Sequence, residues 1–358
     1  MQLIHKPDWE ETKERYQAWW VHEAIGRCAL AVRAPRDNPP KIKEPKRPDT
    51  PEKRWTDLDY LSALGEYNNS RTFFGGEAFP TWSYAYPGHT TIGAFLGCPV
   101  HLDFETGWLD PILFGEELDY RTLRIDEHNM YWKFALAWLK RGSRDAQGRS
   151  IPSVGAFGGS GDTLAWVRGS ERLLYDLMDR PEQVRAAEMH LMDLWCRAYD
   201  IFYNITRETA QGSSCWFNLW SPGKFYAVQN DFSYMISTQM FVDLFLPAIR
   251  QQTEFLDHSV YHVDGIEAFK HVPTLCELPK LQAFQILPGA GKPSPLYYMD
   301  VLKSVQAAGK NLHISIPAEE VETALKELSA RGLFIDTHCA TETEARDLLK
   351  KAEKWSHD

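Results

Sequence analysis

Side chains that can bind metal ions or move protons lie at the ends of several β-strands predicted in the second half of the chain. The alternating run Ser259–Asp264 places His262 and Asp264 on the same face of one strand. Asp231 lies in the loop after an aromatic stretch, and Cys339 follows the last predicted strand. Imidazole, carboxylate and thiol groups are ligands of Zn²⁺ and also general acids and bases. The pattern therefore supports two kinds of chemistry.

The first hypothesis is a metal site. Catalytic zinc keeps three protein ligands and one open position. His262, Asp264 and Cys339 form such a set if their strands converge, with His338 in place of Cys339 if the last strand turns its other face inward.

The second hypothesis is acid and base chemistry without a metal, in which Asp231, His262 and Asp264 hold and protonate a polar substrate. The same acidic groups would equally suit the hydroxyls of a sugar-like molecule, with Trp216 and Trp220 as stacking walls. Further polar and aromatic side chains at predicted strand ends are expected to contact the substrate. With Trp216 and Trp220, these are Trp82, Tyr84, Asn218, Gln285 and His313.

Strands and helices alternate regularly from residue 150 to the end of the chain, a pattern typical of parallel sheets with helical crossovers. The predicted strands in this part are 153–157, 214–220, 259–264, 280–287, 311–316 and 333–337. Two more strands are predicted near the front, at 27–33 and 81–86, and a helix at 10–24 opens the chain.

Eight βα units in about 350 residues indicate an α/β fold, a single (β/α)₈ TIM barrel over residues 1–358 with an irregular N-terminal extension. The proline-rich and charged stretch 35–54 is predicted to be a surface excursion. A doubly wound open sheet is the alternative, although no GxGxxG or Walker A motif follows a strand. The glycine cluster Gly158–Gly161 is interpreted as loop geometry.

Composition limits the classes of partner. The formal net charge of −10 gives no general attraction to nucleic acid or to anionic membranes. No segment is long and apolar enough to cross a bilayer, and the six scattered cysteines form no CxxC pair. We therefore expect a cytoplasmic protein with a small-molecule substrate. Trp19 and Trp20 fit either a homodimer interface or a cap over the bottom of the barrel.

Three segments resemble the uroporphyrinogen decarboxylase superfamily. They are Leu177–Pro181, Asn230–Ser237 with Phe241 and Leu246–Pro247 after it, and Tyr261–Gly265. The resemblance covers residue 153 to the C-terminus well and the front of the chain only loosely. The resemblance implies a single (β/α)₈ barrel. The superfamily includes both true uroporphyrinogen decarboxylases and corrinoid-linked methyltransferases.

The residues distinguish these branches in part. True decarboxylases carry an Arg-Gln-Ala-Gly-Arg motif near the N-terminus that binds porphyrin carboxylates, whereas this chain has Ala31–Arg36, without that motif. The methyltransferases bind zinc through a His-x-Cys pair and a late Cys. Here His262 and Cys339 match by type, while Asp264 stands where the first Cys would be. A carboxylate in that position makes the site harder, in the chemical sense, than a thiolate would.

The resemblance thus implies methyl transfer, with zinc at His262, Asp264 and Cys339 and a corrinoid on a partner protein. The alternative is a lyase or decarboxylase that acts on a small carboxylated or polyhydroxylated compound. A third hypothesis is a small-molecule binding barrel without catalytic activity.

Overall fold

The computed structural model describes residues 2–83 and 87–357. Its largest sheet has seven strands. The strands, in chain order, are β1 (Ala29–Pro35), β2 (Thr72–Gly76), β3 (Thr81–Trp82), β4 (Val100–Leu102), β5 (Gly107–Leu109), β6 (Ile151–Pro152), β7 (Ser213–Ser214), β8 (Trp220–Ser221), β9 (Phe225–Gln229), β10 (His258–Asp264), β11 (Ala283–Leu287), β12 (Asn311–Ser315) and β13 (Leu333–His338).

The large sheet has the strand order β2-β1-β13-β12-β11-β10-β9, and only β2 runs antiparallel to its neighbour. The first strand β1 thus pairs in parallel with the last strand β13. Strands β3 and β6 form a separate parallel pair, and β4–β5 and β7–β8 are antiparallel hairpins. Among the described residues, the strand pairing forms a mixed α/β sheet and does not close into a complete barrel.

Helices cover the sheet and follow most of its strands. They are α1 (Trp9–Trp20), α2 (Pro51–Thr56), α3 (Leu58–Arg71), α4 (Ile92–Phe95), α5 (Met130–Asp145), α6 (Asp162–Arg168), α7 (Ser170–Asp179), α8 (Pro181–Ala210), α9 (Thr238–Met240), α10 (Leu246–Phe255), α11 (Val272–Cys276), α12 (Met299–Ala307), α13 (Val321–Glu327) and α14 (Glu342–Trp355). A π-helical turn, Phe241–Phe245, joins α9 to α10. Within the described part of the chain, none of these helices has the length and apolarity needed to span a bilayer.

Helix α1 seals the end of the sheet where the strands begin. Trp19 and Trp20 are both buried, and their indole nitrogens donate to the carbonyl oxygens of Gly332 and Trp220, each at 2.9 Å. The ring of Trp20 also packs against His258 at the start of β10. The two tryptophans therefore cap the bottom of the fold, and they are not available for the homodimer interface that the sequence also allowed.

The predicted strand 214–220 is wrong, and a real strand after it was missed. Residues 215–219 are the loop of the β7–β8 hairpin, and Asn218 takes a left-handed conformation there with φ of 55°. The parallel strand that pairs with β10 is instead β9, whose sequence Phe-Tyr-Ala-Val-Gln is an almost unbroken apolar run. Such a run does not distinguish a buried strand from a short helix.

The front of the chain agrees with the prediction in part. Within the predicted surface excursion 35–54, residues 36–50 contain no helix or strand and are mostly exposed, and α2 begins at Pro51. Of the predicted strand 81–86, only Thr81–Trp82 is a strand, and residues 84–86 lie outside the described part.

Candidate functional site

A cavity of about 590 Å³ lies at the C-terminal ends of β9 and β10. Its walls come from the glycine-rich segment after β6, from the start of α6, from the β7–β8 loop and from the turn after β9. The lining residues are Ala156, Gly158, Asp162, Ala165, Trp166, Ser170, Trp216, Gln229, Asp231, Phe232, Met235 and His262. The carboxyl ends of parallel strands are where α/β folds place their ligands, so this cavity is the candidate site.

Three side chains that could hold a metal ion lie close together at this end of the sheet. One ligand atom from each of Asp231, His262 and Asp264 lies within 4.8 Å of the others. The Nε2 atom of His262 is 4.0 Å from a carboxylate oxygen of Asp264. One imidazole nitrogen and two carboxylates are a donor set that divalent metal ions accept.

Strand register fixes the orientation of His262. Gln285 on β11 is its direct neighbour across the parallel ladder, and Nδ1 of His262 lies 2.5 Å from Oε1 of Gln285. Because an amide oxygen only accepts, Nδ1 carries the proton and donates it. The lone pair of the neutral ring is therefore on Nε2, on the side of Asp264. Such a partner is the usual support of a metal-binding histidine.

The glycine-rich segment brings a further carboxylate into the cavity. A Cβ atom on Gly159 would come within 2.6 Å of the carbonyl oxygen of Gln229, and one on Gly161 (φ 74°) would overlap the side chain of Asn230. Glycine is thus required for the close approach to the end of β9. The approach positions Asp162, whose carboxylate accepts hydrogen bonds from Gln229 Nε2 (2.9 Å) and from the backbone N–H of Phe232 (3.0 Å).

Burial and mutual repulsion shift the protonation of these groups. Loss of hydration, with the charge of Asp231 added, raises the pKa of Asp162 to about 7. Asp231 has an exposed side chain, but the surrounding protein removes part of the hydration of its carboxylate. This loss of hydration, followed by the charge of Asp264, raises the pKa of Asp231 to about 6. Burial lowers the pKa of His262, which keeps its imidazole neutral. The site thus carries surplus negative charge and a neutral nitrogen donor.

Aromatic side chains form the rest of the wall. The ring of Trp216 stands perpendicular to that of His262, with centroids 5.0 Å apart, and Phe217 contacts the same imidazole at 5.4 Å. Trp166 from α6 and Phe232 line the cavity as well. The site therefore combines carboxylates with aromatic faces.

The structure does not bring Cys339 into the metal-ligand cluster. Cys339 is half-buried after β13, its backbone N–H donates to the carbonyl oxygen of Arg33, and its side chain lines a separate cavity beside Arg33 and Arg36. His338, the proposed substitute, lines that cavity too. The structure therefore does not bring Cys339 together with His262 and Asp264, and the acidic side chain that lies beside those two is Asp231.

Several predicted substrate contacts lie away from the candidate site. Trp220 is buried, donates to the carbonyl oxygen of Ala210 and packs on Trp9. Trp82 is also buried, with its ring 3.9 Å from that of Trp138. Both belong to the core, because a tryptophan buries more apolar surface than most residues.

The remaining predicted contacts have other positions. Asn218 lines a different cavity, next to Arg33 and Asp336. His313 is buried under the ring of Phe217 and does not line the candidate cavity. Gln285 supports His262, as described above, and Tyr84 lies outside the described residues.

Asp162, Gln229 and Trp166 are site residues that the sequence did not reveal. The sequence offers one signal for Asp162, the run Gly158–Gly161 directly before it, which by itself indicates only loop geometry. Because glycines also mark close approaches between backbone segments, the acid that follows them was a reasonable candidate.

Comparison with known proteins finds similarity in structure and none in sequence. No protein-family model matches the sequence, and no curated protein matches it either. A solved structure of a methyltransferase from Methanosarcina mazei is similar, with a TM-score of 0.61 over 96% of this chain and 98% of that chain. The two sequences are 11% identical, so this likeness establishes a shared fold.

Proposed function

We propose that this protein is a methyltransferase of the uroporphyrinogen decarboxylase superfamily that uses a metal ion held by Asp231, His262 and Asp264. The observation that carries the proposal is the cluster itself, at the strand ends of a fold shared with a methyltransferase. Two of the sequence segments that resemble the superfamily, Asn230–Ser237 and Tyr261–Gly265, contain the three residues of this cluster.

The strand order also supports a (β/α)₈ barrel. The six parallel strands of the large sheet and the parallel pair β3–β6 make eight. The pairing of the first strand β1 with the last strand β13 is the arrangement that a closed barrel requires. We infer that the two sets of strands surround one common interior.

The residues present fit a divalent metal ion. Nε2 of His262 would be one ligand, and carboxylate oxygens of Asp231 and Asp264 would be the others. When bound, such an ion acts as a Lewis acid and lowers the pKa of an acceptor that coordinates to it. Gln285 keeps His262 in the ligating tautomer, and Trp216 covers the imidazole from one side. With nitrogen and oxygen ligands, zinc remains suitable, and so do harder ions.

The methyl group would come from a corrinoid carried by a partner protein, as the superfamily resemblance implies. The candidate cavity reaches the surface at Met235 and Asp231, both of which have exposed side chains. A small acceptor would occupy the cavity, while the corrinoid would approach from the open side.

A carbon lyase or decarboxylase is the second candidate function. It is favoured by the two carboxylic acids of the cavity, because pKa values of about 7 for Asp162 and about 6 for Asp231 suit proton transfer near neutral pH. In that case Asp162 would donate a proton to the substrate carbon that loses its substituent.

Metal analysis tests the ligand set. Protein purified without chelator should hold one metal ion per chain, and His262→Ala and Asp231→Asn should each lose it. Cys339→Ser and His338→Ala are the matched controls and should keep the metal. A folded wild-type protein that binds no metal, or loss of the metal in Cys339→Ser, would overturn the assignment.

Methyl transfer is tested separately. Methylcob(III)alamin and 2-mercaptoethanol should give cob(I)alamin and the methyl thioether in the presence of metal-loaded enzyme, and His262→Ala should be inactive. Release of carbon dioxide from a carboxylated substrate by metal-free enzyme would instead support the lyase.

A further inference from the structure

Two tryptophans of the candidate cavity keep part of their surface open. Most tryptophans of the chain are buried in the core, among them Trp9, Trp138 and Trp195. Trp166 and Trp216 are only half-buried, and both line the cavity. Because burial of an aromatic ring is favourable, the surface that these two rings leave open is a place where the ring of a ligand can pack.

Trp166 is held in position by two glycines. A Cβ atom on Gly158, whose φ is 118°, would come within 3.0 Å of Cζ3 in the Trp166 ring. A Cβ atom on Gly93 would lie 3.3 Å from Cβ of the same tryptophan. Glycine at both positions thus permits the backbone to approach this side chain closely. The indole is therefore a fixed wall of the cavity.

Most polar side chains of the cavity form one connected group. Gln229 donates hydrogen bonds to Asp162 (2.9 Å) and to Asp231 (3.4 Å). Asp231 in turn lies in the metal-ligand cluster with His262. Apart from Ser170, the other described lining residues are apolar: Ala156, Gly158, Ala165, Trp166, Trp216, Phe232 and Met235. The cavity therefore suits a molecule with one polar end and an apolar body.

The lining residues disfavour two classes of ligand. Among those described there is no lysine or arginine, the usual partners of phosphate and carboxylate groups. A sugar carries hydroxyl groups around its whole ring, and those against the apolar walls would be buried without hydrogen-bond partners, which is costly. An aromatic ring with one hydroxyl group avoids both problems. The volume of about 590 Å³ is within the range of small-molecule sites.

We propose that the cavity binds an uncharged phenol, with its ring against Trp166 and Trp216 and its hydroxyl group at the polar cluster. This assignment rests on the proposed function, for which the phenol is the methyl acceptor. A hydroxyl group both donates and accepts hydrogen bonds, so its contact with Asp162 and Asp231 does not depend on the protonation of either carboxyl group.

A phenol also has the lone pair that a methyl acceptor needs. In the transfer, a bond forms between the phenolic oxygen and the methyl carbon. The electron pair of the cobalt–carbon bond of the methylated corrinoid stays on the cobalt, and the phenolic proton passes to solvent. Binding can be measured without this reaction.

Calorimetric titration of the wild type, purified without chelator, tests the ligand class with three compounds. 4-Methylphenol has the proposed properties, trans-4-methylcyclohexanol has the same hydroxyl group on a non-planar ring, and 4-hydroxybenzenesulfonate carries a charge in place of the methyl group. 4-Methylphenol should bind about fivefold or more tightly than the cyclohexanol and about tenfold or more tightly than the sulfonate. Equal affinity within either pair, or no binding of 4-methylphenol, would overturn the proposal.

The variant Trp166→Leu removes one aromatic wall at a position outside the metal-ligand cluster. It should weaken binding of 4-methylphenol about fivefold or more and weaken the cyclohexanol less. Trp166→Phe keeps a ring and should bind 4-methylphenol within about threefold of the wild type. The control Trp108→Leu changes an exposed tryptophan on β5, outside the cavity, and should bind like the wild type. An equal loss in Trp166→Leu and Trp108→Leu would contradict a site at Trp166.

Two outcomes separate this inference from the proposed function. Selective binding of 4-methylphenol by a protein that shows no metal and no methyl transfer would refute the proposed function and leave the phenol site intact. Methyl transfer to 2-mercaptoethanol by a protein that does not bind 4-methylphenol would do the reverse. The comparison of the three ligands uses the wild type alone, so it remains decisive if Trp166→Leu does not fold.

Discussion

The hydrogen bond between His262 and Gln285 offers the sharpest test of the candidate site. Replacing Gln285 with Leu keeps the volume nearly unchanged and removes the acceptor that lies 2.5 Å from Nδ1. Because both side chains are 7% exposed, the Nδ1–H would remain buried without a partner, at a cost of about 1–3 kcal/mol in unfolding free energy. The ring would also be free to rotate and to change tautomer. Loss of such a supporting partner weakens metal binding by about 10–100-fold.

Competition titration against a chromogenic chelator measures this change in metal affinity, and urea unfolding measures the change in stability. Gln282→Leu is the matched control. Gln282 lies just before β11 and outside the cavity, and its Oε1 accepts from the backbone N–H of Ser259 at 2.8 Å. It should lose comparable stability and keep wild-type metal affinity. Gln285→Glu restores an acceptor and should bind metal within about threefold of the wild type.

If Gln285→Leu loses stability as expected but binds the metal as tightly as the wild type, then His262 is not oriented through Gln285 or is not a ligand. If Gln282→Leu weakens metal binding equally, the effect is a general consequence of lost stability.

Three other substitutions test the electrostatics of the fold. His313→Leu should raise the unfolding free energy by about 1 kcal/mol in urea titration, because both ring nitrogens of this buried histidine lack partners among the described residues; a loss of stability would contradict this. Burial raises the pKa of Glu188 from 4.5 to about 7, so between these pH values the native state keeps a proton that the unfolded chain has lost. The unfolding free energy of the wild type should therefore fall as the pH rises from 4.5 to about 7. Glu188→Gln should flatten that slope, and an unchanged slope would refute the assignment. Glu77→Ala should lower the unfolding free energy by about 3–5 kcal/mol, because it leaves the buried Arg27 unpaired; a loss below 1 kcal/mol would show that the pair is dispensable.

Local patterns predicted the later strands well. The alternation in Ser259–Asp264 indicated correctly that His262 and Asp264 share a face, and the structure extends this strand by one residue to His258. The final helix begins after Thr341, whose Oγ1 accepts from the backbone N–H of Glu344, and a Thr with a Glu three residues later is a local pattern that marks a helix start. These features depend on neighbours within a few residues, which the sequence shows directly.

Features that depend on distant contacts were harder to predict. Trp216 and Trp220 have the spacing of one strand face, yet the left-handed Asn218 between them turns the chain back into a hairpin. Cys339 stands at the right place in the sequence for a ligand, but its position beside Arg33 is set by the pairing of β13 with β1. The sequence showed that these residues lie near strand ends, and only the packing shows which cavity each one lines.

The register of three neighbouring strands explains why the chemistry concentrates on one side of the sheet. His262, Gln285 and His313 are direct neighbours across β10, β11 and β12. Gln285 accepts a hydrogen bond from His262, while the ring of Phe217 stacks nearly parallel on the imidazole of His313 and covers it. The imidazole of His313 therefore has no access to the cavity, and burial lowers its pKa to about 4. Of the two histidines in the row, only His262 combines an oriented ring, a free Nε2 and adjacent carboxylates, and these are the properties that metal ligation requires.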